Sequence, residues 1–123
     1  MKMNSFEDLL VWKKAHALVL AVYQETKLFP REEQYGLVSQ LRRAIVSVPA
    51  NISEGYKRRS RKDYAHFVNI AHASLEESKY YFILSRDLAY LSAQRAERFL
   101  SEADEVGRML HGLHKALAAG ISR

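Results

Sequence analysis

A run of basic residues near the middle of the chain is the sequence feature best suited to chemistry. Five of the six residues from 57 to 62 carry a positive charge: Lys57, Arg58, Arg59, Arg61 and Lys62. Closely spaced ammonium and guanidinium groups bind phosphate oxygens, and such contacts hold a nucleic acid without reading its bases. The run therefore predicts a site for the phosphate backbone of RNA or DNA. The alternative is a solvated surface that serves solubility and the rim of an oligomer.

The net charge of the chain is concentrated around this run. The chain carries +5 overall, and residues 31–62 alone hold eight Lys or Arg against three Glu, so the remainder is neutral. Such asymmetry indicates an anionic partner. Arg61 and Lys62 open a predicted helix, where the helix dipole favours acids, so helix stability does not explain them. Tyr56 and Tyr64 flank the run, and rings beside cations are typical of surfaces that stack single-stranded bases.

Two further arginines, Arg42 and Arg43, fall within the second predicted helix. If they are exposed, they extend the predicted nucleic-acid surface. The alternative is an ion pair with Glu76 or Glu77 of the third helix, from the same chain or a neighbouring one. Glu77 falls on an apolar stripe, and a buried carboxylate needs a partner. We favour a structural ion pair over a catalytic acid.

Catalytic and metal-binding patterns are absent from the sequence. There is no cysteine, and the two Glu-x-x-His motifs of a di-iron helical bundle are missing. One Asp-x-x-His begins at Asp63 and one His-x-x-His at His111, neither with the acidic residues that would complete a site. No GxSxG motif or Gly-rich phosphate loop occurs. We predict a protein that is not an enzyme and has no metal or cofactor, and interpret His16 and His72 as hydrogen-bonded residues of the core or of an interface.

Helical periodicity dominates the chain and predicts four long helices. They cover residues 6–27 after Ser5 as N-cap, 30–57, 61–89 after Ser60, and 93–119 after Ser92. Pro30 is predicted to lie in the first turn of the second helix and Pro49 to kink that helix. Because turns of a few residues join the helices, we predict an all-α fold. We predict that a single domain, residues 1–123, forms an antiparallel up-down-up-down four-helix bundle.

The predicted helices carry more apolar residues than one bundle core can cover. The first has two apolar stripes and the third is apolar on nearly every side. Soluble monomers rarely expose large apolar patches, so we predict a homo-oligomer that buries the surplus between subunits. No stretch approaches the ~20 apolar residues of a membrane span, and Glu7 and Asp8 interrupt the segment where a signal peptide would lie. We expect a cytoplasmic protein with no membrane partner.

Five groups of residues give the chain a specific resemblance to a known family. They are Phe6, Leu9, Val11 and Trp12; Tyr23, Thr26, Phe29 and Pro30; Gln40 to Ala44; Pro49 to Gly55; and Ser74, Leu75 and Glu77. On these residues the chain closely resembles the bacterial four-helix-bundle family named from intervening sequences in 23S ribosomal RNA genes. The resemblance covers nearly the full chain, and only the last helix is generic.

The resemblance implies an antiparallel four-helix bundle that assembles as a homopentamer, and it brings no catalytic residues. It also points to a relative, the accessory variability determinant of diversity-generating retroelements, which binds nucleic acid and a reverse transcriptase. Together with the localised charge, the resemblance favours an oligomeric scaffold that binds nucleic acid through the junction of the second and third helices. The alternative is a protein-interaction module, such as an accessory subunit of a reverse transcriptase, for which nucleic-acid binding is incidental.

Overall fold

Four long helices form the framework of the protein in a computed structural model that describes residues 5–120. They are α1 (Leu10–Thr26), α2 (Leu37–Tyr56), α3 (Arg61–Asp87) and α4 (Ala93–Ala118). Two short 3₁₀ helices, Phe6–Asp8 and Arg31–Glu33, precede α1 and α2. No strand occurs among residues 5–120. The prediction of an all-α fold is confirmed.

Each helix packs against its neighbour in the chain, and α1 also packs against α4. Short connections make consecutive helices run in opposite directions, which is the up-down-up-down bundle that the sequence predicts. Fully buried side chains from all four helices fill one core, among them Leu18, Ile45, Leu75, Phe82 and Leu110. Burying each such side chain stabilises the fold by ~1.5–3 kcal/mol. Within the described residues, no helix has the length and apolar composition that crossing a bilayer requires.

The first helix begins later than the sequence predicts. Leu9 is extended, with φ −73° and ψ 127°, and it separates the short helix Phe6–Asp8 from α1. Ser5 caps the short helix instead of α1, since its side chain accepts a hydrogen bond from the N–H of Glu7. The prediction of one helix from residue 6 is wrong at this turn. Leu9 is buried, so core packing outweighs helical propensity here.

The second helix begins at Leu37 rather than at Pro30. Pro30 is extended at ψ 143° and precedes the 3₁₀ helix Arg31–Glu33, so its predicted place in the first turn of the second helix is wrong. The Glu33 carboxylate sets the start of α2. Its Oε1 accepts a hydrogen bond from the N–H of Leu37 at 3.3 Å, and its Oε2 accepts one from the Tyr90 hydroxyl at 2.9 Å. Glu33 thereby ties the start of α2 to the connection between α3 and α4.

The predicted N-caps of α3 and α4 are confirmed. The Ser60 Oγ accepts a hydrogen bond from the N–H of Asp63, and the Ser92 Oγ accepts one from the N–H of Arg95, both at 3.1 Å. The two helices end within two residues of their predicted limits, at Asp87 and Ala118. These caps involve only residues close in sequence, which is why sequence patterns find them.

Pro49 is buried inside α2, and the helix continues on both sides of it. A proline removes one backbone donor and leaves the carbonyl four residues earlier without its usual partner. Side chains bond other carbonyls of the same region: Asn51 donates to the carbonyl of Ser47 at 2.8 Å, and Ser53 donates to the carbonyl of Pro49 at 3.0 Å. The kink at Pro49 stays a prediction.

Candidate nucleic-acid interface

The five basic residues of the predicted site lie at the corner where α2 ends and α3 begins. Lys57 follows the last residue of α2, and Arg61 opens α3. All five side chains are exposed at one end of the bundle. We call this surface the basic corner, and its residues are Lys57, Arg58, Arg59, Arg61 and Lys62.

Gly55 allows the corner to be tight. A Cβ atom at residue 55 would lie 2.9 Å from the Cβ of Phe67 and 2.9 Å from Cδ1 of Tyr64, well inside the ~3.5–4.0 Å optimum for carbon atoms. The end of α2 therefore approaches α3 this closely only because residue 55 has no side chain. This approach places the basic residues on both sides of the turn on one surface.

Arg58 differs from the other residues of the basic corner because a carboxylate neutralises it. Its Nη2 lies 2.8 Å from the Oε2 of Glu54, one helical turn earlier. Its guanidinium carbon lies 4.6 Å from the centroid of the Phe67 ring. Among residues 5–120, no carboxylate forms an ion pair with the other four: Lys57, Arg59, Arg61 and Lys62. Four unpaired positive charges remain at the corner.

The two tyrosines that flank the run do not both offer stacking surfaces. Tyr64 is only 7% exposed, and its ring lies edge-on to the half-buried ring of Tyr56, with centroids 6.3 Å apart. The prediction of a stacking face is therefore wrong for Tyr64, because α3 turns this side chain into the core beneath the corner. Of the two rings, only that of Tyr56 keeps exposed surface beside the basic corner.

Arg42 lies far from the basic corner and is engaged in contacts of its own. Residues 42 and 57 are fifteen positions apart in and just beyond α2, a distance of about 22 Å along the helix. The half-buried Arg42 donates from Nε to the Oγ1 of Thr26 at 2.9 Å, and its guanidinium lies over the Tyr23 ring at 4.4 Å. The structure does not bring Arg42 to the basic corner; Arg42 lines a separate cleft together with Arg43.

Arg43 forms an ion pair with Glu77, whose Oε2 lies 2.6 Å from the Nη2 of Arg43. The hypothesis of an ion pair between the second and third helices is confirmed for these two residues. The expected burial of Glu77 is wrong, since its side chain is 38% exposed at the outer edge of the α2–α3 contact. The Tyr81 hydroxyl donates to the same carboxylate at 2.8 Å. This hydrogen bond, together with burial, raises the pKa of Tyr81.

The histidines do not form a metal cluster in the described part of the chain. Among residues 5–120, no group of three His, Asp or Glu side chains is placed to hold a metal ion. His16 is exposed and stacks on Trp12, with ring centroids 4.9 Å apart. The Nε1 of Trp12 donates to the Oγ of Ser53 at 3.0 Å. This hydrogen bond joins α1 to α2, whereas the stacked pair lies within α1.

The structure contains a cleft beside the basic corner that was not predicted from the sequence. It has a volume of about 650 Å³, opens between the first turns of α3 and the last turns of α4, and contains Arg61, Lys62, His66, Asn69 and His114. On α3, positions 62, 66 and 69 share one helix face, which the sequence could have shown. His114, on the opposing helix α4, lines the same cleft. Local sequence patterns do not predict this proximity, because residues 66 and 114 are distant in sequence.

The fold and the basic corner define a class of protein: a small four-helix bundle with unpaired positive charge at one end. The chain belongs to the family of 23S rRNA-intervening sequence proteins, whose model matches residues 7–112. This match confirms the family resemblance drawn from the sequence motifs. The relation to retroelement proteins stays a prediction.

A solved structure shares the fold. It is the crystal structure, at 1.70 Å resolution, of a protein with unknown function from the S23 ribosomal protein family from Bacteroides thetaiotaomicron VPI-5482. The TM-score is 0.80 at 22% sequence identity, and the match covers 86% of this chain and 99% of that chain. A comparison with curated proteins found no match.

Proposed function

We propose that the protein is a non-enzymatic, oligomeric scaffold that binds the phosphate backbone of RNA or DNA through the basic corner. One observation carries the proposal: four neighbouring cations at the corner have no carboxylate partner among residues 5–120. Many cations elsewhere are compensated by ion pairs, namely Lys14, Arg43, Lys79, Arg86, Arg95 and Arg98. The corner is therefore a region where several unpaired positive charges lie close together, available to a polyanion.

Unpaired cations attract nucleic acid because binding releases the counterions condensed on the phosphates. If each of the four cations contacts one phosphate of a single strand, the logarithm of the affinity falls with the logarithm of the salt concentration with a slope of about −2.8. The affinity of one subunit then falls about 50-fold between about 50 and 200 mM salt. Such contacts carry no base information, so the binding is independent of nucleotide sequence.

A fourfold substitution with a charge-matched control tests the proposal. The corner variant changes Lys57, Arg59, Arg61 and Lys62 to Gln. The control variant changes four exposed cations elsewhere to Gln: Lys13, Lys27, Arg31 and Arg98. Each variant replaces four positive charges, so the formal net charge falls from +5 to +1 in both. Fluorescence anisotropy measures the affinity for a labelled oligonucleotide at several salt concentrations, and circular dichroism measures helicity.

We expect the corner variant to lose its affinity and the steep salt dependence, while the control variant keeps most of both. A corner variant that is folded and binds as tightly as the wild type contradicts the proposal. Equal losses in the two variants contradict it as well, because they would show that overall charge rather than the basic corner attracts the nucleic acid.

We also propose that copies of the chain assemble, because the bundle exposes large apolar side chains. These are Leu10, Leu20, Tyr23, Leu28, Tyr35, Val46, Tyr80 and Leu88. They belong to α1, α2, α3 and two connections, so a single partner helix would not cover them all. An assembly would gather several basic corners, and simultaneous contacts raise the avidity for one polyanion. The homopentamer that the family resemblance implies is the assembly we propose.

A further inference from the structure

Four of the five histidines in the chain line one groove between α3 and α4. His66 and His114 belong to the cleft of about 650 Å³ beside the basic corner. His72 and His111 line the next cleft along the groove, which has a volume of about 560 Å³. An imidazole side chain ordinarily gains its proton between pH 5 and 8, so histidine is the residue type through which a protein surface can respond to pH in this range.

The antiparallel packing of α3 and α4 aligns these residues. Positions 62, 66, 69 and 72 of α3 recur every three or four residues and share one face, as do positions 118, 114, 111 and 107 of α4. A Cβ at Gly107 would lie 3.6 Å from the Nε2 of His72, so this side chain directly faces α4. From Lys62 to His72, the groove extends for about 15 Å along α3.

The end of the groove beside the basic corner is positive. Arg61 and Lys62 line this cleft, and no Asp or Glu among residues 5–120 belongs to its lining. The Arg61 side chain reaches the end of α4, where its Nη2 lies 3.7 Å from the position of a Cβ at Gly120. The flanking turns also carry Asp63 of α3 and Lys115 of α4, both exposed. A phosphate group placed here therefore meets cations and imidazoles.

The next cleft is electrically balanced instead. It is lined by two acids and two cations: Glu76, Asp104, Lys79 and Arg108. Lys79 bridges both acids, with its Nζ 2.7 Å from the Oδ1 of Asp104 and 3.4 Å from the Oε2 of Glu76. The hydrogen bond to Asp104 is the largest cause of the raised pKa of Lys79. His72 and His111 thus face compensated charge, whereas His66 and His114 face cations.

We propose that the cleft of His66 and His114 binds phosphate groups of the same polynucleotide that the basic corner holds, and that protonation of both imidazoles strengthens this binding below neutral pH. The inference rests on the proposed function and deepens it, because it extends the bound strand from the corner into the α3–α4 groove. A bound phosphate favours the charged form of a neighbouring imidazole. Binding therefore takes up protons, and the affinity rises as the pH falls. On α3 this cleft extends from Lys62 to Asn69, about 10 Å, which matches about three phosphate spacings of one B-form strand.

The test measures the affinity of the full chain for an oligothymidylate at about pH 5.5 and about pH 7.5, on either side of the usual imidazole titration, at constant ionic strength. Thymine bases and phosphodiesters do not change charge over this range, so a change in affinity reports on the protein. The wild type is compared with His66→Gln/His114→Gln. The matched control is His72→Gln/His111→Gln, which removes two histidines from the balanced cleft. Thermal unfolding followed by circular dichroism checks that each variant is folded.

We expect the wild type to bind more tightly at the lower pH, by about fivefold for each imidazolium–phosphate contact in about 0.1 M salt, or about 25-fold for two. The His66→Gln/His114→Gln variant should lose most of this pH dependence, and the control should keep it. A third variant, His66→Arg/His114→Arg, carries permanent charge in the cleft. It should bind at about pH 7.5 nearly as tightly as the wild type does at about pH 5.5.

The outcomes separate this inference from the proposed function. If His66→Gln/His114→Gln binds with the pH dependence of the wild type, the inference is overturned and the proposed function stands. An affinity of the wild type that does not rise at the lower pH also overturns the inference. If Lys57→Gln/Arg59→Gln, which changes only the two unpaired corner cations outside the cleft lining, binds as the wild type does while the histidine variant is weakened, binding through the basic corner is overturned and the groove is supported.

Discussion

At Gly55, the absence of one side chain decides how closely two helices meet. We expect Gly55→Ala to lower the free energy of unfolding, because its Cβ would lie 2.9 Å from the Cβ of Phe67 and overpacking costs ~1–3 kcal/mol. This cost opposes the ~1 kcal/mol that Ala gains over Gly within a helix. Gly112 is a matched control, since a Cβ there meets nothing within 4 Å.

Denaturant unfolding of the two glycine variants should therefore show changes of opposite sign. Gly112→Ala should raise the free energy of unfolding by ~0.5–1 kcal/mol, while Gly55→Ala lowers it. Equal stabilisation of both variants would mean that α2 and α3 do not need the close approach seen at Gly55. The basic corner would then not depend on a glycine at this position.

The Glu77 carboxylate, which pairs with Arg43 of α2, also affects the pKa of Tyr81. The hydrogen bond from the Tyr81 hydroxyl to Glu77 is the main cause of the raised pKa, with burial second. We expect Glu77→Gln to lower the pKa of Tyr81 towards the ordinary value of about 10, as measured by NMR of labelled tyrosine rings. Glu76→Gln is the control, because Glu76 pairs with Lys79 instead. A Tyr81 pKa that is unchanged in Glu77→Gln would contradict this contact.

The raised pKa of Tyr81 also fixes the direction of a pH effect on stability. A group whose pKa is higher in the folded state stabilises the fold below its ordinary pKa, and this contribution is lost as the pH rises through the raised value. Tyr90 behaves alike, since its hydrogen bond to Glu33 raises its pKa. We expect stability to fall above about pH 10, and to fall less in a Tyr81→Phe/Tyr90→Phe variant.

At the scale of the element, Ser60 and Ser92 cap α3 and α4 with the same geometry but at different places in the molecule. Each side chain accepts a hydrogen bond at 3.1 Å from the backbone N–H three residues later. We expect Ser60→Ala and Ser92→Ala each to lower the free energy of unfolding by ~1 kcal/mol. Only Ser60→Ala should also weaken oligonucleotide binding, because its cap orders the first turn of α3, which carries Arg61 and Lys62.

If Ser60→Ala and Ser92→Ala weaken oligonucleotide binding equally, the loss reflects overall stability. That result would contradict a specific role of the first turn of α3 in binding. The comparison is well matched, because both changes delete one hydroxyl at an exposed helix start. Anisotropy titration gives the affinity, and thermal or denaturant unfolding gives the stability of each variant.

The helix starts show which elements can be predicted from sequence. α3 and α4 were predicted to within two residues at their ends because their caps are local. α1 and α2 also end within one residue of their predicted limits. Their starts were not predicted, because burial of Leu9 and the contacts of Glu33 determine where they begin. Glu33 caps α2 from four residues back and is held by Tyr90, which is 57 residues away. No sequence window contains both partners.

For the whole molecule, the exposed apolar residues predict assembly. We expect light scattering to show more than one chain per particle, and five if the family resemblance extends to subunit number. The corner variant should keep the wild-type mass, because Lys57, Arg59, Arg61 and Lys62 are not among the apolar residues that assembly would bury. A single chain at working concentration contradicts self-association and favours a separate protein partner for residues such as Tyr35, which is 90% exposed.

Taken by itself, the sequence determined the helical class, the number of helices, the caps of α3 and α4, the family and the position of the excess charge. Each of these depends on residue types or on neighbours a few positions apart. Only the tertiary structure decided that Tyr64 turns inward, that Arg43 pairs with Glu77 while Arg42 packs on Tyr23, and that His66 and His114 share a cleft. These contacts depend on how helices that are distant in sequence pack and rotate against one another. Helix packing determines which side chains meet, and local sequence patterns do not contain that information.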